Sequence, residues 1–327
     1  MVLSTQRNYT MANFTFKPAD WVPYKDFDPR LLARLRALDA STYEQREPHH
    51  HPDFRIKVLE GFGGVTMADR FVHIKASDDL DQKFVMICGN PNPHSYMPLA
   101  ELINTFKVNC RNLYVFTMDE WADEAGNIAP TTYKAGFTYS FMKYFYQKID
   151  PKLRMPEKNI FYPTNANIKD YSKLLYEVSD GGNYTLYSGP GWTGHIAFID
   201  PCPELCRCET IEEYLEQPAQ VVSLHPLTIA QNSLHGVFGC SGDVGSVPPK
   251  AATLGPLDVK RAARRFEGHG LTTMGSFSSW QRMVSRLICH GPVSPQVPGS
   301  ILQLFPCTVY VAPSIAKPVE CLETVGY

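Results

Sequence analysis

"YTLYSGPGWTGHIAFIDP", residues 184–201, runs a short β-rich segment into a loop carrying Gly189, Pro190, Gly191 and Gly194, with His195 directly behind the last of them. Tyr, Thr and Leu suit a half-buried strand, and glycine permits the positive φ and close backbone approach of a tight strand-to-loop turn. Working outward from this segment, apolar runs and amphipathic pieces take turns. Upstream lie a strand "KFVMICG" 83–89, a helix "YMPLAELINTF" 96–106, a strand "NLYVFTM" 112–118, and helices "GFTYSFMKYFYQKI" 136–149 and "NIKDYSKLLYEV" 167–178. Downstream lie a helix "ETIEEYLEQ" 209–217, a strand "QVVSL" 220–224, a helix "LTIAQNSLHGVF" 227–238, strands "KAATLG" 250–255 and "GLTTMG" 270–275, a helix "SSWQRMVSRLICH" 278–290 and a strand "CTVYVA" 307–312. Strands separated by helices pair in parallel, because each crossover helix returns the chain to the same end of the sheet. The expectation is an α/β domain over residues 61–327 with a doubly wound, mostly parallel, Rossmann-like sheet. Residues 1–60, with one helix-like piece "PRLLARLRALDA" 29–40, are read as an N-terminal extension.

Composition narrows the function classes. The 327 residues are 44% hydrophobic with a formal net charge of −2, so no global field draws in nucleic acid or an anionic membrane. No run of 18 apolar residues occurs, and the opening "MVLSTQRNYTMANFTF" lacks the charged-then-apolar order of a secretory signal, so a cytoplasmic protein is expected. Nine dispersed cysteines fit reduced, packed thiols better than a disulfide framework. "CPELCRC", 202–208, has three thiols but neither a Cys-x-x-Cys pair nor a fourth ligand, so no metal is expected; His49, His50 and His51 read as a polar linker.

Ligands of doubly wound sheets sit beyond the carboxyl ends of the strands. His195 stands at such an end. Its imidazole can shuttle protons near neutrality, and Asp200, five residues on, can fix its tautomer if the turn folds back. The alternative is a histidine that only satisfies local structure. Asp119 and Glu120 close the strand "NLYVFTM" in the same way: one carboxylate can remove a carbon-bound proton while the other holds the loop by hydrogen bonds. The alternative there is a pair of acids meeting the dipole of the next helix.

Taken together, "FTMDEW", "FTYSFMKYFYQKID", "MPEKNIFYPTNAN" and "GWTGHIAFIDP" resemble, in order and spacing, the glucosamine-6-phosphate deaminase/isomerase family, whose wider kin include 6-phosphogluconolactonases. The resemblance is dense over 112–201 and thinner through "TIAQNSLH", "VPPKAATLG", "GSFSSWQ" and "LQLFPCTVYVA". It implies cofactor-free aldose–ketose chemistry on an amino-sugar phosphate: ring opening, proton transfer from C2 to C1, and loss of ammonia. It also implies His195 as the ring-opening group, Asp119 as the proton carrier, Glu120 as the second acid, and Asp200 in the place of the acid that precedes proline.

Several positions depart from the family pattern. Thr193 stands where an aspartate usually orients the histidine. The usual Thr-Gly-Gly-Thr-Pro phosphate loop is replaced by "GNPNPHS", in which Gly89, Asn90, Asn92 and Ser95 are the polar substitutes. An expected arginine is Leu234, and an expected lysine falls near Ser278. Either another cation has moved in, with Lys250, Arg282 and "KRAARR" 260–265 as candidates, or the substrate has changed; the last run reads more naturally as a solvated helix face. The partner is then a small sugar or sugar phosphate, held by Gly191, Trp192 and Gly194 besides the residues above, and a homo-oligomer is compatible with the sequence. "GVFGCSGDVGSVPPK", 236–250, reads as a lid or a plain surface loop. Two rivals stay open: a lactone hydrolase using the same histidine, and a non-catalytic sugar-binding homologue.

Overall fold

Ten strands are formed: β1 (Phe54–Val58), β2 (Phe84–Cys88), β3 (Leu113–Thr117), β4 (Asp119–Ala122), β5 (Ile160–Phe161), β6 (Tyr184–Ser188), β7 (Gln220–Ser223), β8 (Lys250–Thr253), β9 (Arg264–His269) and β10 (Cys307–Val311). The structure, a computed structural model, describes residues 17–89, 91–270 and 278–320. Seven strands make one wholly parallel sheet in the order β1-β10-β9-β6-β2-β3-β5. This is the expected doubly wound α/β sheet.

In its interior β2 and β3 are near-continuous apolar runs because both faces are covered. Successive residues alternate sides: Met86 and Cys88 of β2 join Leu113 and Val115 under the helices Phe62–Asp79, Pro93–Thr105 and Phe137–Tyr144. Val85 and Ile87 face the other way, with Phe116 and Leu186, toward the helices Pro29–Ala37, Tyr171–Val178 and Gln281–His290. Each aliphatic side chain buried this fully contributes roughly 1.5–3 kcal/mol.

Strand order fixes where a ligand crevice opens. From β2 the chain steps to β3 and β5 on one side, then returns to lay β6 on the other side of β2. The loops leaving β2 and β6 therefore diverge at a topological switch point.

The sequence reading is corrected at five places. β7 and β8 do not enter the main sheet: with β4 they form a separate antiparallel sheet, β4-β8-β7. Met118, whose N–H bonds the Cys88 carbonyl at 3.0 Å, is the last residue tied to β2, and the chain then turns into β4. The strand expected at 270–275 is instead β9, just before it; residues 271–275 lie outside the described residues. Arg264 and Arg265 open β9 rather than closing a solvated helix, because the helix Pro256–Arg261 ends first and Arg265 turns inward to donate to the Val259 carbonyl at 2.7 Å. The helix expected over 136–149 breaks at Phe145 (φ −124°, ψ −68°), whose buried ring packs against Tyr96 and Phe141. Finally, the segment read as an extension supplies an edge strand, β1, paired with β10, and the Tyr43 hydroxyl donates to Ser285 Oγ at 2.7 Å in the buried helix Gln281–His290. No helix among the described residues is long and apolar enough to cross a membrane.

Candidate active site

His195 and Asp200 meet. The Nδ1 of His195 lies 2.7 Å from Asp200 Oδ1, with both side chains buried. A carboxylate on Nδ1 selects the tautomer protonated there and leaves Nε2 to act on a ligand. Asp200 is itself held from three sides: the hydroxyls of Thr193 and Thr228 donate to Oδ1 at 2.7 and 2.9 Å, and the His225 N–H donates to Oδ2 at 3.0 Å. Burial alone would raise this carboxyl; the adjacent imidazole and these donors bring it below its usual range. Thr193 thus acts on the histidine through Asp200. The negative charge beside the imidazole is that of Asp200, and at position 193 a hydroxyl supports it.

The glycines have separate tasks. A Cβ on Gly191 would overlap His195 Nε2 and lie 2.7 Å from Gln231 Oε1, so only glycine leaves the reactive nitrogen clear. Gly194 has φ +80°, a left-handed conformation that glycine adopts without strain, and Val297 fills the space where a side chain would go. Trp192 stacks on Trp280 (centroids 5.5 Å, planes 19° apart), its backbone N–H donates to Gln231 Oε1 at 2.6 Å, and the Gln281 side chain donates to the Pro190 carbonyl at 2.9 Å. These bonds pin the loop after β6 against the helices Pro226–Ser233 and Gln281–His290.

Asp119 and Glu120 part company at once, since neighbours in a strand face opposite ways. Glu120 accepts from the N–H groups of Trp121 (3.0 Å), Phe137 (3.1 Å) and Thr138 (2.9 Å), closing the N-terminus of the helix Phe137–Tyr144. Of the two sequence readings for these acids, Glu120 takes both the loop-holding and the helix-capping role. The Asp119 side chain forms no hydrogen bond among the described residues, and burial, then the Glu120 charge, push it well above the usual carboxylate range. It is joined to the histidine through three contacts: Asp119 is the register partner of Thr253, Thr253 Oγ1 accepts from the Phe198 N–H at 3.0 Å, and the Phe198 ring stands edge-on to His195 at 5.6 Å.

The loop after β2 lies between these two groups in strand order. Gly89 abuts the Tyr187 carbonyl, 3.2 Å from where its Cβ would stand, and Asn92 accepts from the Ser95 N–H at 2.9 Å to cap the helix Pro93–Thr105. Asn90 lies outside the described residues. Ser278 is exposed, directly after an undescribed segment, and Leu234 is exposed as well. The loop 236–250 is anchored by Phe238 against Trp121 and by buried Val247, with its middle exposed.

Four site residues escaped the sequence reading. Thr228 and Gln231 lie on the helix after β7, and Trp280 lies far along the chain; no local spacing ties them to His195. His235 is held below the ordinary histidine range by burial and by the neighbouring His195, and only its place in "NSLH" pointed to it.

Comparison with known proteins agrees with the motifs. A glucosamine-6-phosphate deaminase of Lachnoclostridium phytofermentans is 23% identical over 218 residues, covering 65% of this chain and 78% of that protein. The solved structure of a monomeric glucosamine-6-phosphate deaminase superposes with a TM-score of 0.62 at 20% identity, covering 80% of this chain and 98% of the other. A 6-phosphogluconolactonase from Trypanosoma cruzi superposes at 0.55 with 15% identity, covering 84% and 100%. No family model matches the chain.

Proposed function

We propose that this chain, a divergent relative of the glucosamine-6-phosphate deaminases, catalyses the aldose–ketose rearrangement of an amino-sugar phosphate, ending in loss of ammonia. The observation that supports the reading is a His195 whose Nδ1 is held by Asp200 and an Asp119 carboxyl that is buried with no hydrogen bond among the described residues, each following a strand that neighbours β2. His195 Nε2 takes the proton of the anomeric hydroxyl and returns it to the ring oxygen as the C1–O bond to that oxygen breaks, giving the open aldehyde. Asp119 removes the proton from C2, the electron pair forms the C1–C2 double bond, and the substrate's ammonium gives a proton to the C1 carbonyl oxygen, which leaves a neutral enolamine. The same carboxyl then delivers the proton to C1, leaving an iminium at C2 to which water adds as ammonia departs. Sugar phosphate and water in, ketose phosphate and ammonia out: the steps balance with side chains alone. Trp192 and the loop 89–95 flank the sugar.

A lactone hydrolase needs a base for water and gives Asp119 no task, so the buried carboxylate favours carbon chemistry. The test is incubation with glucosamine 6-phosphate in deuterium oxide. Exchange at C2 with ammonia release supports the reading. Hydrolysis of 6-phosphogluconolactone without exchange would transfer it to the hydrolase, and ligand-induced stabilisation with neither reaction to a binding protein.

A further inference from the structure

Arg70 stands in the middle of the helix Phe62–Asp79, which returns the chain from β1 to β2 and so runs antiparallel to the strands. Only 8% of the residue is exposed. Its guanidinium carbon lies 4.5 Å from the centre of the Tyr187 ring and 5.2 Å from that of Tyr96. Tyr187 is the register partner of Cys88 at the carboxyl end of β2, and Tyr96 lies in the first turns of the helix that follows. The arginine therefore sits at the switch point between β2 and β6. Side chains on a helix lean toward its N-terminus, here the edge from which the loops at Gly89 and Gly189 leave.

What Arg70 lacks is an anion. Its buried Nε has no hydrogen-bond partner, and among the described residues its guanidinium makes no hydrogen bond and no ion pair. The neighbouring carboxylate, Asp69, is already taken by Arg264 at 2.7 Å and by the Tyr187 hydroxyl at 2.6 Å. A buried guanidinium without a counter-charge is costly, and aromatic faces return only part of that cost. The other candidate cations are engaged elsewhere: Lys250 donates to the Glu124 carbonyl and Arg282 to the carbonyls of Lys317 and Pro318.

We infer that Arg70 is an anion anchor at the β2–β6 crevice, and that the ligand it takes is a phosphomonoester group. A planar fork of donors suits phosphate oxygens. This rests on the proposed function for the identity of the rest of the ligand, a sugar, but the anchor itself is tested without turnover.

The experiment measures binding of inorganic phosphate, glucosamine 6-phosphate and unphosphorylated glucosamine to the full chain and to Arg70→Met and Arg70→Lys by calorimetry. The expected result is phosphate-dependent binding that weakens by about tenfold to a hundredfold in Arg70→Met. Arg70→Lys should recover part of it, and glucosamine should bind with no dependence on residue 70. Equal phosphate binding by the unmodified chain and Arg70→Met, or preference for the unphosphorylated sugar, overturns the anchor. Should the variants not fold, a crystal structure of the unmodified chain with inorganic phosphate decides: an ion on the guanidinium upholds the anchor, and an ion elsewhere or none overturns it. Phosphate binding through Arg70 with no ammonia released would defeat the proposed function alone; ammonia release with an unchanged KM in Arg70→Met would defeat the anchor alone.

Discussion

A carboxyl buried at a strand end is costly to ionise, and Asp119, 6% exposed, is such a group. Because its folded pKa is raised, the folded state holds its proton longer than the unfolded chain does. Stability contributed at this position is present below the unfolded value near 4 and is lost as pH rises through the folded value. Asp119→Asn should therefore raise Tm by a few degrees at pH 7, with the gain vanishing near pH 4, while C2 exchange falls by about 10²–10⁴. The base works only when ionised, so the acid limb of kcat/KM should lie above the usual carboxylate range. At Thr193, introducing an aspartate should not help: it would set a second carboxylate against Asp200 Oδ1, where the hydroxyl now donates at 2.7 Å. Thr193→Asp is expected to lower kcat, by more than Thr193→Ser, in a side-by-side assay.

Among the elements, β4 divides its labour. Glu120→Ala leaves the N–H groups of Trp121, Phe137 and Thr138 without their acceptor, at a cost of about 1–3 kcal/mol, readable as a lower urea midpoint. Gly191→Ala should abolish activity and also lower that midpoint, since the added methyl displaces the buried side chains of His195 and Gln231. The parallel sheet was legible where its strands are apolar runs, as in β2 and β3, and not at β9, whose two opening arginines read as a helix face; the His195–Asp200 pair was legible because a tight turn joins residues five apart. The antiparallel sheet was not: β4, β7 and β8 have four residues each, and their pairing is settled by where the chain turns after Met118. Thr228 and Arg70 were equally hidden, since their partners lie on other elements.

For the molecule as a whole, the N-terminal segment is part of the fold. Leu35 and Tyr43 are fully buried, Arg286 donates to the Leu38 carbonyl at 2.9 Å, and β1 completes the sheet edge. A chain starting at residue 61 should lose its cooperative thermal transition; a separable extension would leave Tm unchanged. The same junction holds His50, which burial and then His49 lower to about 4, close to His290, which burial also lowers. For His50 the unfolded state binds the proton first, so its contribution is lost as pH falls from about 6.5 toward 4. His50→Gln should flatten the fall in urea midpoint between pH 7 and pH 5.

The stacked indoles of Trp192 and Trp280 bridge the loop after β6 and the start of the helix Gln281–His290. Two such chromophores 5.5 Å apart couple electronically, and the coupling changes sharply with their separation and tilt. Sugar entering beside Trp192 would write itself into the near-ultraviolet circular dichroism, giving an occupancy signal that needs no label and no turnover.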